Sequence, residues 1–352
     1  MTSNAHLSSL LLVIFSLLLL SFHLHVLEAQ TLVAIAEGLS WTFYDSSRPK
    51  LQSIIRKQLK KVFKQDITLA AGLLRIHLHD CFVQGCDGSV LLDGSASEPS
   101  EKDAPPNLTL RAEAFELIDD LRELVQKKCG EIVSCADITA LAVRDSTGGP
   151  DYDIPLERRD SLTLASRNET LANIPGPTSN TSVRLSSLAL KNFDAMDVVV
   201  LSGAHAIGIG HCTSFTSRPY PSQELTMDKT LANNLRLTCP TSNTANTTVM
   251  DIRTPNTFDN KYYAGLMNRQ GPFTSDQDLY TDTRTRDIVT SFAVNQTLFF
   301  EKFVSAMIKM GQLSVLTEEQ GEIRTNCSAT NSGGSVLESV MEEEKTAASS
   351  EF

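Results

Sequence analysis

This chain predicts an all-α, mostly helical fold, on three observations. Apolar residues recur at i, i+3, i+4 and i+7 in segment after segment between residues 51 and 310. Strand-like alternation is scarce. No Gly/Ser-rich linker, internal repeat or low-complexity tract interrupts the chain between about residue 40 and Cys327, so its 352 residues read as one large helical unit with short flanking pieces.

The helices follow in order. Leu51 to Gln65 carries Leu51, Ile54, Ile55, Leu59, Val62 and Phe63 with basic residues between them, an amphipathic helix. Asp66 is the predicted cap of the next helix, an apolar stretch that holds Arg75 and His79. Arg111 to Lys128 and Ser134 to Arg144 keep the same spacing. Asp194 with Asp197 three residues later forms a capping-box pattern, opening a helix that runs into His205. Phe258 to Gln270 and Ser291 to Met310 complete the predicted set.

The ends have a different character. Leu10 to Leu20 is an apolar run of secretory-leader length, too short to span a bilayer, with Ala29 before Gln30 as the cleavage point. Residues 1–29 are therefore a signal peptide and 30–327 the folded domain. Residues 328–352 are Ser/Gly-rich and acidic, a disordered or processed tail. A net charge of −11 argues against nucleic acid and anionic membranes as partners. Asn-x-Ser/Thr sequons at Asn107, Asn168, Asn180, Asn246, Asn295 and Asn326 fit a secreted glycoprotein. The seven cysteines leave one thiol over.

Chemistry concentrates between Ala70 and Asp93, AAGLLRIHLHDCFVQGCDGSVLLD. Arg75 and His79 lie four apart and share one helix face. A cation beside an imidazole on an apolar face is costly unless something there uses both. Asp80, Asp87 and Ser89, with the carbonyls of Val83 and Gly85, are the hard oxygens that suit Ca²⁺, and Cys81 and Cys86 bracket them. A zinc cluster of His77, His79 and Asp80 is disfavoured, because residues two apart do not face each other on a helix. His77 reads as structural.

Helix face, oxygen-rich loop and cysteine pair together resemble the distal haem motif and calcium loop of the class III secretory plant haem peroxidases. The segment DVVVLSGAHAIGIGHC, 197–212, resembles that family's proximal motif, and SDQDL, 275–279, its carboxylate partner. The resemblance covers roughly residues 38 to 327. It implies a haem-dependent peroxidase fold, with one haem b between distal and proximal helices. His205 would be the axial iron ligand and Asp276 the acceptor of its N–H, a carboxylate that makes the imidazole more electron-donating. His79 would be the general base and then acid toward H₂O₂, Arg75 would stabilise charge on the leaving oxygen, and Asn107 would fix the tautomer of His79. Glycosylation of Asn107 conflicts with that role. Glu101 would join the distal calcium site through water.

By the same resemblance, Asp251, Thr254, Thr257 and Asp259 belong to a second calcium site. Ala206, standing where the family has Thr, would add only its carbonyl and weaken it. Pro175 lies in a Pro-rich rim whose carbonyl orients aromatic donors. The implied disulfides are Cys81–Cys86, Cys135–Cys327 and Cys212–Cys239. Arg48 stands in the position of the family's first cysteine, leaving Cys129 as a free thiol. Leu78 replaces a usual Phe, Glu157 a common Gly, the loop 145–150 is shorter, and Met250 sits where an apolar or aromatic residue packs over the proximal His. Asp137 and Arg158 match a family ion pair.

The expectation is therefore a secreted, monomeric enzyme of cell wall or vacuole, taking H₂O₂ and small phenolic donors, each donor giving one electron. A degenerate haem-binding wall protein, motivated by Arg48, Ala206 and Leu78, and a haem-free metal protein are the rivals.

Overall fold

The computed structural model describes residues 34–331 other than 96 and 242–243, so the predicted leader and most of the predicted tail lie outside the described residues. The described residues from Glu37 onward form one compact unit. Among the described residues it contains twelve α-helices and a single two-stranded ribbon, so the all-α expectation holds.

Four helices build the first half. These are α1 (Leu51–Gln65), α2 (Leu69–Val83), α3 (Ala112–Cys129) and α4 (Cys135–Arg144). Helix α1 buries Leu51, Ile55 and Leu59 against α3 and α4, while its lysines stay in solvent. Helix α2 is apolar almost all round and is correspondingly packed on several sides, by α3, α4 and the short α5 (Arg167–Asn173). Asp66 does not cap it. The N-cap is Thr68, and Asp66, two residues earlier, accepts from the Thr68 N–H at 2.9 Å and pairs with Arg111 at 2.6 Å. An Asx turn thus precedes the helix where the sequence pattern suggested a cap. Ser134 caps α4 by accepting from the Asp137 N–H.

The second half starts with α6 (Thr181–Ala189) and α7 (Ala195–Ser202). The predicted capping box of α7 is present, with Asp194 and Asp197 each accepting the other's N–H at 2.9 and 3.1 Å. A 3₁₀ turn, Gly203–Ala206, follows directly and carries His205. Its position depends on Gly203, where a Cβ would lie 2.4 Å from the Tyr263 hydroxyl and 2.6 Å from the Phe299 ring. Strands β1 (Ile209–His211) and β2 (Thr247–Val249) then pair antiparallel around α8 (Lys229–Thr238).

Two predicted segments differ in extent. Phe258 to Gln270 is helical only over α9 (Lys261–Met267). Ser291 to Met310 is split between α11 (Arg286–Val294) and α12 (Gln296–Met310), because Asn295 leaves the helix and caps the next one at the Leu298 N–H. Between α9 and α11 lies α10 (Thr274–Thr281), which carries Asp276. An aromatic core of Phe258, Tyr263, Phe292, Phe299 and Phe303 holds α9, α11 and α12 together.

Disulfides join Cys81 to Cys86, Cys135 to Cys327 and Cys212 to Cys239. Cys129 is unpaired and buried, and the Arg48 guanidinium donates to its carbonyl. Asp137 and Arg158 form a fully buried pair at 3.0 Å. Glu157, which replaces a Gly common in the family, adopts φ of 101°, a conformation that costs a residue with a Cβ about 1–3 kcal/mol.

Candidate active site

Helix α2 delivers His79 to a buried position, and a loop 28 residues later meets it. The Asn107 Oδ1 accepts from His79 Nδ1 at 2.5 Å, and Asn107 Nδ2 donates to the Glu101 carbonyl at 2.8 Å. Both ends of the Asn107 amide are thereby engaged in the interior, which leaves no room for a glycan; the other five sequon asparagines are exposed. With Nδ1 donating to Asn107, the His79 ring presents Nε2 as a lone-pair acceptor. Burial, then the charge of Arg75, push its pKa down to about 3. His79 is therefore a neutral base at any physiological pH.

Arg75, one turn before His79, is anchored on that same loop. Its Nη1 donates to the Thr109 carbonyl at 2.7 Å, and its Nη2 donates to the Pro106 carbonyl at 2.7 Å and to Thr109 Oγ1 at 2.9 Å. Burial pushes its pKa down to about 10, which leaves it cationic. These carbonyl anchors were not foreseen, since a backbone acceptor has no residue-type signature.

The other imidazole lies on the 3₁₀ turn after α7. His205 Nδ1 sits 2.9 and 3.0 Å from the two oxygens of Asp276 on α10. Asp276 is wholly buried, whereas 40% of the His205 side chain is accessible. Burial alone would raise the Asp276 pKa, but His205, Arg184 and Tyr262 outweigh it and hold the carboxyl below its usual range. An ionised Asp276 fixes the proton on Nδ1 and leaves Nε2 of His205 with a free lone pair that can ligate a metal. The rings edge-on to His205 belong to Phe273, at 5.7 Å, and Tyr262, at 6.3 Å. Met250 is buried, close to Gly210 and on the same side as the Phe273 ring. His211, half-buried on β1, takes no part in this pairing.

The two imidazoles are thus alike in design, each held from behind through Nδ1. One is buried beside a cation and the other is accessible and backed by a carboxylate. That donor set fits haem, with one imidazole placed to ligate iron and the other to move a proton.

The oxygen-rich loop is equally distinctive. Asp80 accepts from the Gly88 and Val90 N–H groups, Asp87 from that of Ser89, and Ser89 Oγ donates to Glu101 at 3.1 Å. Glu101 Oε2 is buried without a partner. Burial, then Asp87 and Glu101, drive the Asp80 pKa well up, and burial pushes Glu101 to about 7. Three buried carboxylates with an orphaned oxygen are costly alone and suit a divalent cation. On the proximal side Thr254 Oγ1 lies 3.1 Å from Asp251 and 3.0 Å from Asp259, Thr257 is exposed, and Ala206 is buried without a side-chain oxygen. Among the described residues, His77, Cys81 and Cys86 are the three whose ligand atoms all lie within 4.8 Å of one another. The two sulfurs are bonded to each other, so they offer no thiolate, and the zinc reading on His77, His79 and Asp80 gains no support. Pro175 follows α5 at a half-buried position.

A helical chain presenting these two imidazoles has the make-up of a haem peroxidase. The peroxidase family model matches residues 55–295, and the chain belongs to that family, in its class III plant branch. It is 62% identical over 314 residues to Peroxidase 12 of Arabidopsis thaliana, covering 88% of each chain. It is 52% identical over 307 residues to the cationic peroxidase SPC4 of Sorghum bicolor, covering 86% of this chain and 85% of the relative. Peroxidase 47 of Arabidopsis thaliana is 42% identical over 299 residues. The protein is an enzyme that oxidises donors with H₂O₂, and haem is the cofactor of its family. No helix among the described residues is long and apolar enough to cross a membrane.

Proposed function

We propose that His205 would ligate the iron of haem b and that His79 and Arg75 act on H₂O₂. When bound, haem supplies the redox chemistry that takes oxidising equivalents from peroxide and passes them to donors. His79 Nε2 accepts the proton from the first peroxide oxygen and returns it to the second, which leaves as water. Arg75 neutralises the charge that builds on that departing oxygen. Asn107 keeps the His79 proton on Nδ1, so the base is always the nitrogen facing substrate. Asp276, by accepting from His205 Nδ1, would make that imidazole a stronger electron donor to a bound iron.

Two Ca²⁺ ions complete this reading. The distal ion takes Asp80, Val83, Gly85, Asp87 and Ser89, with Glu101 through water. The proximal ion takes Asp251, Thr254, Thr257, Asp259 and the Ala206 carbonyl, more weakly for want of a hydroxyl at 206. Small phenolic donors, oriented by the Pro175 carbonyl, give one electron each. The protein works as a secreted monomer in the cell wall or vacuole, carrying glycans on exposed sequons.

The observation that carries this reading is the paired tethering of His79 by Asn107 and of His205 by Asp276. His79→Ala tests it. The variant should keep its Soret band while its bimolecular reaction with H₂O₂, followed by stopped flow, slows by about 10²–10⁴-fold or more. An unchanged rate refutes the assignment.

A further inference from the structure

Asp276 accepts a second hydrogen bond, from a residue that the proximal motif does not contain. The Tyr262 hydroxyl on α9 donates to Asp276 Oδ1 at 2.9 Å, the same oxygen that lies 3.0 Å from His205 Nδ1. Tyr262 is 2% exposed and Asp276 is fully buried, so water does not compete for this carboxylate. The neighbouring Tyr263 turns the other way and donates to the Val199 and Val200 carbonyls, a packing role. Tyr262 alone therefore joins the chain Tyr262–Asp276–His205, its ring lying edge-on to the imidazole at 79°.

A carboxylate has a limited share of negative charge to offer. A buried phenol donating to it stabilises that charge and weakens its pull on the other donor, here the His205 N–H. We propose that Tyr262 is a positioning residue that tempers the axial histidine, setting how much imidazolate character Asp276 can induce and so tuning the reduction potential of the bound haem. This rests on the reading of His205 as the iron ligand. Asp276 pushes electron density toward the metal, and Tyr262 limits that push.

The sign of the effect separates this role from a merely structural one. Tyr262→Phe keeps the ring and removes only the hydroxyl, which frees Asp276 to accept more strongly from His205. The midpoint potential of the holoenzyme, measured by spectroelectrochemistry, should fall, and the iron–histidine stretching frequency of the ferrous form should rise. Replacing Tyr262 with 3-fluorotyrosine makes a stronger donor and should move both quantities the opposite way. A variant that only loosened the pocket would weaken the His205–Asp276 pair and raise the potential, as Asp276→Asn should. An unchanged or raised potential in Tyr262→Phe overturns the proposal while leaving the His205–Asp276 reading intact. A potential that fails to rise in Asp276→Asn overturns that reading, and this proposal with it.

Discussion

Arg75 is held by Thr109 through two separate contacts, its Nη1 on the carbonyl at 2.7 Å and its Nη2 on the hydroxyl at 2.9 Å. The loop that carries Asn107 to His79 thus also places the cation that works beside His79. One short segment sets the geometry of both groups. Thr109→Val removes the hydroxyl anchor and keeps the shape. The reaction with H₂O₂ should slow by about 10-fold, in line with the loss of one hydrogen bond to a charged group. Thr109→Ser should restore it, and later oxidation of donors should be unaffected. Stopped-flow traces of the two phases check this, and equal slowing of both would point to general damage instead.

The pKa of His79 gives a pH signature. An ordinary histidine titrates near 6.5, whereas His79 in the folded protein stays neutral down to about 3. The rate constant for H₂O₂ should therefore stay flat through pH 6.5 and fall only well below it. Stability has the matching sign. Between about pH 6.5 and 3 the unfolded chain binds a proton here that the folded one refuses, so folding weakens as pH drops across that window. His77, likewise held near 3 by burial and then by Arg158, adds to the same trend. A rate profile breaking near 6.5 would contradict the base assignment.

Removing Ca²⁺ should matter more at high pH. In the metal-free protein Asp80, Asp87 and Glu101 all have raised pKa values, with Glu101 at about 7. A raised carboxyl gives stability that is present below its unfolded value and lost as pH rises through the folded one. The melting temperature of chelator-treated protein should thus fall from about pH 4 to 7, while the Ca²⁺-loaded protein is spared. The gap between the two, read by calorimetry, should widen over that range; a constant gap would remove the carboxylate cluster from the metal site.

Arg48 and Cys129 are already neighbours, since the guanidinium donates to the Cys129 carbonyl. Arg48→Cys should close a disulfide across a sequence separation of 81 residues and contribute up to about 4 kcal/mol. Thiol titration of the denatured, unreduced protein should find one free group in the parent and none in the variant, whose melting temperature should rise. A variant with two free thiols would mean the backbones are too far apart.

Helices α1, α3 and α4 lie close to their predicted bounds because each buries apolar residues at helical spacing, and the eight-residue α7 because its capping box marks its start. The break at Asn295 was not legible in the sequence, since apolar spacing runs through it and only the cap geometry stops the helix. Helices α5, α6, α8 and α10, of ten residues or fewer, are too short for periodicity to stand out. In the site, residue types and spacing pointed to Arg75, His79 and the oxygen loop. Contacts made by folding left no local mark. The Tyr262–Asp276 bond and the carbonyls that hold Arg75 come from loops and turns meeting in space, and nothing in the spacing of residues announces them.

The Cys135–Cys327 bridge has a bearing on resistance to proteolysis. It turns the stretch between those cysteines into a covalent ring containing His205, Asp251, Tyr262 and Asp276. A protease that cuts that ring once cannot detach a fragment, because both new ends remain joined through the sulfurs. Trimming beyond Cys327 leaves the ring closed. An enzyme built this way can be nicked in its proximal half and still keep every piece of that half attached.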